Sequence, residues 1–431
     1  MTENAATRNR SEYSDLPDLK VTRSRRNVAW SGLGALLVVV VLYRFPYYVG
    51  PGTTGIMIQG LIVLTLASMW NLLAGYAGLV SVGQQAFLGL GAYFVLIPAM
   101  HGITPWFGLV IATVAAGACA LPLWWLVARL RLGYFAIATW VLASAVMLVI
   151  EQISSIGGGT GMPLPGISGY DPAVLTADTY WAALTVAVLA IGGVYFLLRS
   201  RVGLVLTSIR DDERAAKSSG VRVGFARLLV FIVAAAGCGA AGGVLAIQQL
   251  QVVPGTAGGV FSVQWTAEMA FATIIGGIGT IEGPIVGTIV YMVLQQELQS
   301  YNAWYLIVLG VVAIAVAIFA RRGLWGTIDE KFNIRLFPVG YHLWEPGERR
   351  SRPKPVGTPP TNGRAIAALA CGVVGFFVLP SAILAIVFGH LARREVRRTG
   401  EAGDGLATAG MVLGYVATVL TVFVIIYLLN A

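Results

Sequence analysis

Polar groups capable of chemistry are sparse in this 431-residue chain and fall into two sets. One is a compact run of charge, Arg210-Asp211-Asp212-Glu213-Arg214 and then Lys217, with Gly220 closing it. The other is scattered through apolar stretches: Gln84 and Gln85 side by side, and the acids Glu151, Glu268 and Glu297. An unpaired amide in hydrocarbon costs several kcal/mol, so Gln84 and Gln85 must face a helix partner or a cavity. Interhelical hydrogen bonding and pore lining both meet that need. A charge at mid-bilayer costs at least ~2.5–3.5 kcal/mol, which makes an acid there a functional candidate by default. Glu151 and Glu297 fall at outer span ends beside Gln152, Gln295, Gln296 and Gln299, where interfacial solvation suffices. Glu268 is within a turn of its span's outer end and is the better candidate for a translocation path.

Signatures of catalysis are missing from the sequence. It has no G-x-x-x-x-G-K-[ST] phosphate loop, and none of its four lysines follows a glycine. His101, His342 and His390 are scattered, with no H-E-x-x-H, and no G-x-S-x-G elbow occurs. Cys119, Cys238 and Cys371 stand alone in apolar runs without metal spacing, as small hydrophobes do. The expectation is a chain with no catalytic residue, no metal and no cofactor of its own. Any ATP it uses is then hydrolysed by another subunit.

The elements that hold these residues follow from composition. Hydrophobic residues make up 57% and charged residues 11%, against a usual ~25% charged in soluble domains. A soluble enzyme of this size is excluded; the fold class is an all-α polytopic membrane protein. The net charge of +9 does not point to nucleic acid, because every Lys and Arg except Arg44 falls in one of five blocks: 8–26, 129–131, 199–227, 321–364 and 393–398. Basic flanks are retained on the cytoplasmic side. Placing all five blocks there requires an even number of crossings between consecutive blocks, each span needing ~20 apolar residues. Ten spans satisfy this: 28–46, 55–75, 79–100, 105–128, 133–152, 179–198, 228–247, 265–281, 284–300 and 303–320. The N-terminus is then cytoplasmic, and its polar first 27 residues are not a cleavable signal.

Beyond the spans, residues 327–363 carry clustered prolines and charges and read as a cytoplasmic linker. A small membrane module of one or two helices, 364–431, follows it. A re-entrant pair of half-helices with Pro380 at the tip, then a crossing at 407–429, reconciles its length with the arginines at 393–398. The outside loop 154–178, rich in Gly and Pro, reads either as a flexible connector or as a cover over a pore mouth. Gly239 and Gly243 are four residues apart, as are Gly279, Gly283 and Gly287, a spacing that lets helix backbones approach closely in lipid. Glu282-Gly283-Pro284 reads as a helix break at a cytoplasmic turn.

The charged run reads as a short capped helix of about three turns. Asp211, Asp212 and Glu213 lie early, where anions suit the dipole, Lys217 lies late and Gly220 is the stop. An ordinary solvated loop and a docking helix for a soluble partner both fit. Here a resemblance enters. Glu213-Arg-Ala215-Ala216-Lys-Ser-Ser-Gly220 resembles the E-x-A-A-x-x-x-G coupling motif of ABC-importer permeases, and Ser208–Glu213 resembles the cytoplasmic loop of the branched-chain amino acid permease family, LivM type. The segments Asn71–Tyr93 and Ile275–Gly287 are similar to that family's N- and C-terminal signatures, and Arg322-Gly-Leu-Trp-Gly326 to its closing motif. The resemblance covers about residues 30–326. Gln84-Gln85 departs from it, since a His often stands there, and so does the C-terminal extension. In that extension Gly389–Ala392 and Gly405–Gly410 resemble a small membrane-domain family of unknown function.

The resemblance implies an importer permease for branched-chain or related small amino acids in a bacterial cytoplasmic membrane. It implies two ATP-binding subunits carrying ATP and Mg, a second homologous permease and an extracytoplasmic substrate-binding protein; lipid surrounds the spans, and nucleic acid is no partner. Urea or short amides fit the same scaffold. A stand-alone secondary transporter is the rival class; it calls for an inverted repeat with coupling acids in both halves, and no such repeat is visible.

Overall fold

The computed structural model describes residues 20–22, 25–130, 133–167, 169–255, 258–298, 307, 310–314, 316, 323–332, 337, 342–344, 367, 368, 371, 379–399, 407, 408, 410, 411, 414, 415 and 418. In chain order the elements are β1 (Lys20–Thr22), α1 (Arg25–Tyr43), α2 (Pro51–Asn71), α3 (Gln85–Met100), α4 (Pro105–Val127), α5 (Gly133–Glu151), β2 (Met162–Pro163), α6 (Pro172–Arg199), α7 (Arg201–Asp211), α8 (Glu213–Ser218), α9 (Val223–Gln249), β3 (Gln251–Val252), α10 (Val263–Gly276), α11 (Glu282–Leu298), α12 (Gly323–Phe332), β4 (His342–Trp344) and α13 (Leu379–Thr399).

The stretches Pro51–Tyr76, Pro105–Val127, Gly133–Glu151, Pro172–Arg199 and Val223–Gln249 are each long and apolar enough to cross a membrane. Nine of the ten expected spans coincide with a helix, and the tenth, 303–320, lies largely outside the described residues. Two expected spans need correction. The helix expected over 79–100 begins only at Gln85, and that expected over 265–281 ends at Gly276. With 16 and 14 residues, α3 and α10 reach roughly 24 and 21 Å at ~1.5 Å per residue, short of the ~30 Å hydrocarbon core. Each is a half-helix continued by non-helical chain.

Non-helical backbone at that depth is tolerated only where protein satisfies it. After α2 the chain makes one π-helical turn, Leu72–Tyr76, and Gly78 takes φ +67°, which ends helical bonding. The freed groups find partners: the Leu79 N–H donates to Leu73 O at 2.9 Å, the Val82 N–H to Thr139 Oγ1 at 3.1 Å, and Trp70 Nε1 to Ser81 O at 2.9 Å. Ahead of α10, 258–262 tucks Val260 and Phe261 into the core, with the Trp265 indole N–H bonded to Gly259 O.

The bundle is centred on α9, which packs most extensively on α4 and α3; α2 packs on α6, and α10 on α11 and α2. Small residues make this contact possible. A Cβ on Gly91 would overlap the Gly239 carbonyl, and one on Gly242 would overlap that of Leu88. Aromatic residues clamp α1 to α6: Tyr180 OH donates to Leu42 O at 2.9 Å, and Trp181 Nε1 donates to Tyr43 O at 3.2 Å. The Tyr43 and Trp181 rings stack at 5.6 Å.

The 154–171 segment is not a loose connector. Met162–Pro163 pairs antiparallel with Gln251–Val252, the Leu164 N–H donates to Leu250 O at 2.9 Å, and Ile156, Leu164 and Ile167 are buried. At the opposite end, Lys20–Thr22 pairs antiparallel with His342–Trp344, joining the N-terminal tail to the expected linker. The first residues of that linker, 327–332, belong to α12. In the C-terminal module α13 runs unbroken through the arginine cluster, with Pro380 in its first turn, where a missing N–H costs nothing. The other arm of the expected re-entrant pair and the 407–429 crossing fall mainly outside the described residues.

Candidate coupling site and translocation path

The charged run forms two helices, not one. Ser200 ends α6 in an extended conformation (ψ 179°) and caps α7 by accepting the Val202 N–H at 3.1 Å. Leu206 and Ile209 bury one face of α7. The chain then breaks at Asp212 (φ −155°, ψ 108°), whose Oδ1 accepts the N–H groups of Arg214 at 2.7 Å and Ala215 at 3.1 Å. Asp211 is therefore the last residue of α7, and the expected three-turn helix is replaced by the six residues of α8. The cause is local: a short carboxylate side chain competes for backbone N–H groups and favours the cap over the helix interior. Gly220 does end α8, at φ +79°. Its N–H bonds Lys217 O at 3.0 Å and the Val221 N–H bonds Ala216 O at 3.1 Å, the paired closure of a Schellman motif.

Glu213 fastens α8 to its neighbours. One carboxylate oxygen accepts from Lys217 Nζ at 2.6 Å and the other from Arg227 Nη2 of α9 at 3.0 Å. The hydrogen bond from Lys217 is the main reason its pKa lies below the usual glutamate value of 4.5; partial burial opposes the shift, and Arg227 adds to it. Ala216 turns inward and is buried, whereas Asp212, Arg214, Ala215, Lys217 and Ser218 face outward. The result is a rigid, polar, outward-facing tip.

Four sequence motifs as much as 250 residues apart meet where α7 ends. Arg210 Nη1 donates to Gly75 O at 3.4 Å, reaching the π-turn that follows α2. The turn between α10 and α11 lies against the same spot: Gly279, at φ +80°, leaves no room between Gly75 O and the Arg210 guanidinium. Asn71, buried at the end of α2, donates through Nδ2 to Thr280 O at 2.7 Å and accepts the Gly279 N–H on Oδ1 at 2.8 Å. Gly323 opens α12 at φ +70° with its backbone on Gly276 and Gly277. The buried Glu282 accepts the Phe337 N–H at 2.9 Å. In the sequence Arg210 and Asn71 stand only as members of their motifs, with no site role of their own; an asparagine opening an apolar signature is the signal that marks the second.

The glycines divide by role. Gly239 and Gly243 sit against Ala116 and against Leu109 and Val95, and Gly283 and Gly287 lie on the carbonyls of Gly277 and Ala272. Gly279 does not share their helix; it belongs to the turn before α11 and is there for its positive φ.

Gln84, Gln85 and Glu268, the residues expected along a path, are all buried. Gln84 Oε1 accepts from Cys238 Sγ at 3.3 Å, while its buried Nε2 finds no partner among the described residues. Gln85 Oε1 accepts a hydrogen bond from the Thr266 hydroxyl on α10, a bond between the two half-helices. Glu268 accepts from Gln264 Nε2 at 3.0 Å. Gln84 thus contacts α9 through Cys238, Gln85 contacts α10 through Thr266, and Glu268 is a residue of α10 itself. Among the described residues no group of three or more His, Cys, Asp and Glu could hold a metal ion.

Residues 52–317 match the family described as branched-chain amino acid transport system / permease component, and residues 364–424 match a domain of unknown function (DUF4190). The high-affinity branched-chain amino acid transport system permease protein LivM of Escherichia coli is 28% identical over 319 residues, covering 68% of this chain and 74% of the relative. The LivM protein of Salmonella typhimurium is 27% identical with the same coverage. No solved structure matches the chain. With more than half of its length matched by that family, and helices to fit, the chain belongs to the permease components of branched-chain amino acid transport systems.

Proposed function

We propose that this chain is the membrane-spanning permease of an ATP-binding-cassette importer carrying branched-chain or related small amino acids. The observation that carries the reading is the convergence of the α7–α8 tip on both interrupted spans through Arg210, Gly75 and Gly279. A tip that is capped, ion-paired and exposed suits the cleft of a soluble ATPase, and the junction behind it gives displacement of the tip a route into α3, α10 and α11. The chain would work with two ATP-binding subunits, which supply ATP and Mg, with a second permease subunit, and with an extracytoplasmic protein that delivers substrate. Its N-terminus and the α7–α8 tip would lie in the cytoplasm of a bacterial cell. Alternating access would follow from rocking of the half-helices about α9, with Gln84, Gln85 and Glu268 exposed in turn along the path. The LivM names of the relatives favour amino acids over urea or short amides.

Co-purification in mild detergent tests the assembly. The wild-type chain should retain an ATPase subunit and support ATP-driven uptake of leucine, isoleucine or valine. Glu213→Ala and Gly220→Leu should release that subunit and abolish uptake. Retained uptake in both variants would defeat the reading.

A further inference from the structure

The importer reading leaves open how one contact at the α7 tip can act on two spans that are separate in sequence. We propose that Asn71 is the positioning residue that couples them, holding the 277–281 turn to the 72–76 turn so that Arg210 moves both as one body. Three observations carry this. First, the Asn71 amide is bound on both sides, donating to Thr280 O at 2.7 Å and accepting from the Gly279 N–H at 2.8 Å. A carboxylate cannot donate and an aliphatic side chain can do neither, so only an amide of this length closes the pair. Second, the turn it holds cannot bond itself as helix does, because Gly277 and Gly279 take φ +131° and +80°. Without Asn71, itself buried, the half-buried Gly279 N–H and Thr280 C=O lose these partners. Third, the two turns interlock: a Cβ on Gly75 would lie 2.6 Å from Gly279 N, and one on Gly279 would lie 2.9 Å from Arg210 Nη1. The turns have no room to slide past each other, and the Asn71 amide keeps them from parting.

The relay rests on the importer reading, and the test separates the two. The complete complex, with its ATPase and binding-protein subunits, is reconstituted in proteoliposomes, and leucine uptake and ATP hydrolysis are measured together. If the wild-type complex moves no amino acid, the importer reading fails and the relay with it. With wild-type uptake established, Asn71→Asp should assemble with the normal subunit ratio and hydrolyse ATP, yet carry about tenfold less substrate per ATP. Arg210→Ala should show the same loss, and the double variant should be no worse than the more affected single, because both break one linkage. Unchanged substrate per ATP in Asn71→Asp overturns the proposal. Should that chain fail to assemble, Arg210→Ala decides alone, since Arg210 is exposed and its replacement leaves the core intact: unchanged coupling there overturns the proposal and reduced coupling supports it.

Discussion

Gly91 of α3 rests on the backbone of Gly239 of α9, so closely that a single added methyl group would overlap the Gly239 carbonyl. Two glycines on facing helices remove all side-chain volume from the contact, and dispersion between backbones replaces it. Gly91→Ala should therefore force α3 off α9 and destabilise the chain by about 1–3 kcal/mol. Gly192→Ala, where the added carbon meets nothing, is the control. Thermal unfolding in detergent checks the pair, and equal melting temperatures for the two variants would contradict the contact.

The Asp212 cap carries a second expectation. Asp212→Ala removes the acceptor for the Arg214 and Ala215 N–H groups and should cost about 1 kcal/mol of local stability. Asp212→Asn keeps an acceptor and should behave nearly as wild type. Hydrogen exchange of residues 213–218 is the readout. Faster exchange in both variants alike, or in neither, would show that the side chain does not cap.

The third expectation concerns pH. The Glu213 pKa is lowered on folding, so its contribution is fully present above the ordinary value of 4.5 and is lost as pH falls through the lowered native value. The α8 tip should stay docked on Arg227 from neutral pH down to about 4.5 and loosen below that range. A spin label at Ser219 reports the mobility. In Glu213→Gln the tip should be looser at neutral pH and insensitive to acid; a persistent acid transition in that variant would assign the effect to another group.

Gln85 and Thr266 supply a fourth. Thr266→Val leaves the Gln85 amide oxygen without its donor and should destabilise the bundle by about 1–3 kcal/mol. Gln85→Met combined with Thr266→Val should restore part of the loss. A double variant that is stable but inactive in uptake would place the pair on the substrate path; one that is stable and active would make it structural only.

Glu268→Gln retains an acceptor for Gln264 while removing the charge. Uptake should fall about tenfold if the carboxyl meets substrate. Assembly should be unaffected. Normal uptake would remove Glu268 from the path.

Span positions were legible because a period of apolar residues and the placement of arginines both report burial in lipid. Residues 105–128 and 133–152 match α4 and α5 within a residue of each end. What escaped was interruption. Residues 79–84 (Leu-Val-Ser-Val-Gly-Gln) lie within a longer apolar stretch and do not by themselves fix helix or tucked loop; the difference lies in Thr139, Trp70 and Leu73, which satisfy their backbone. The α7–α8 break was misjudged for a related reason: three consecutive acids look alike in sequence, and only the backbone at Asp212 selects which one caps. The resemblance named the coupling segment, but its meeting with Asn71 is a property of the tertiary fold.

The clamp between α1 and α6 bears on how the chain is made. Tyr180 bonds the carbonyl of Leu42 across 138 residues of sequence. At ~5–20 residues per second, synthesis of that interval takes roughly 7–28 s. Throughout that time α1 lacks its aromatic anchors. Orientation of the first helix must therefore be decided by charge alone, before any tertiary contact exists to correct it.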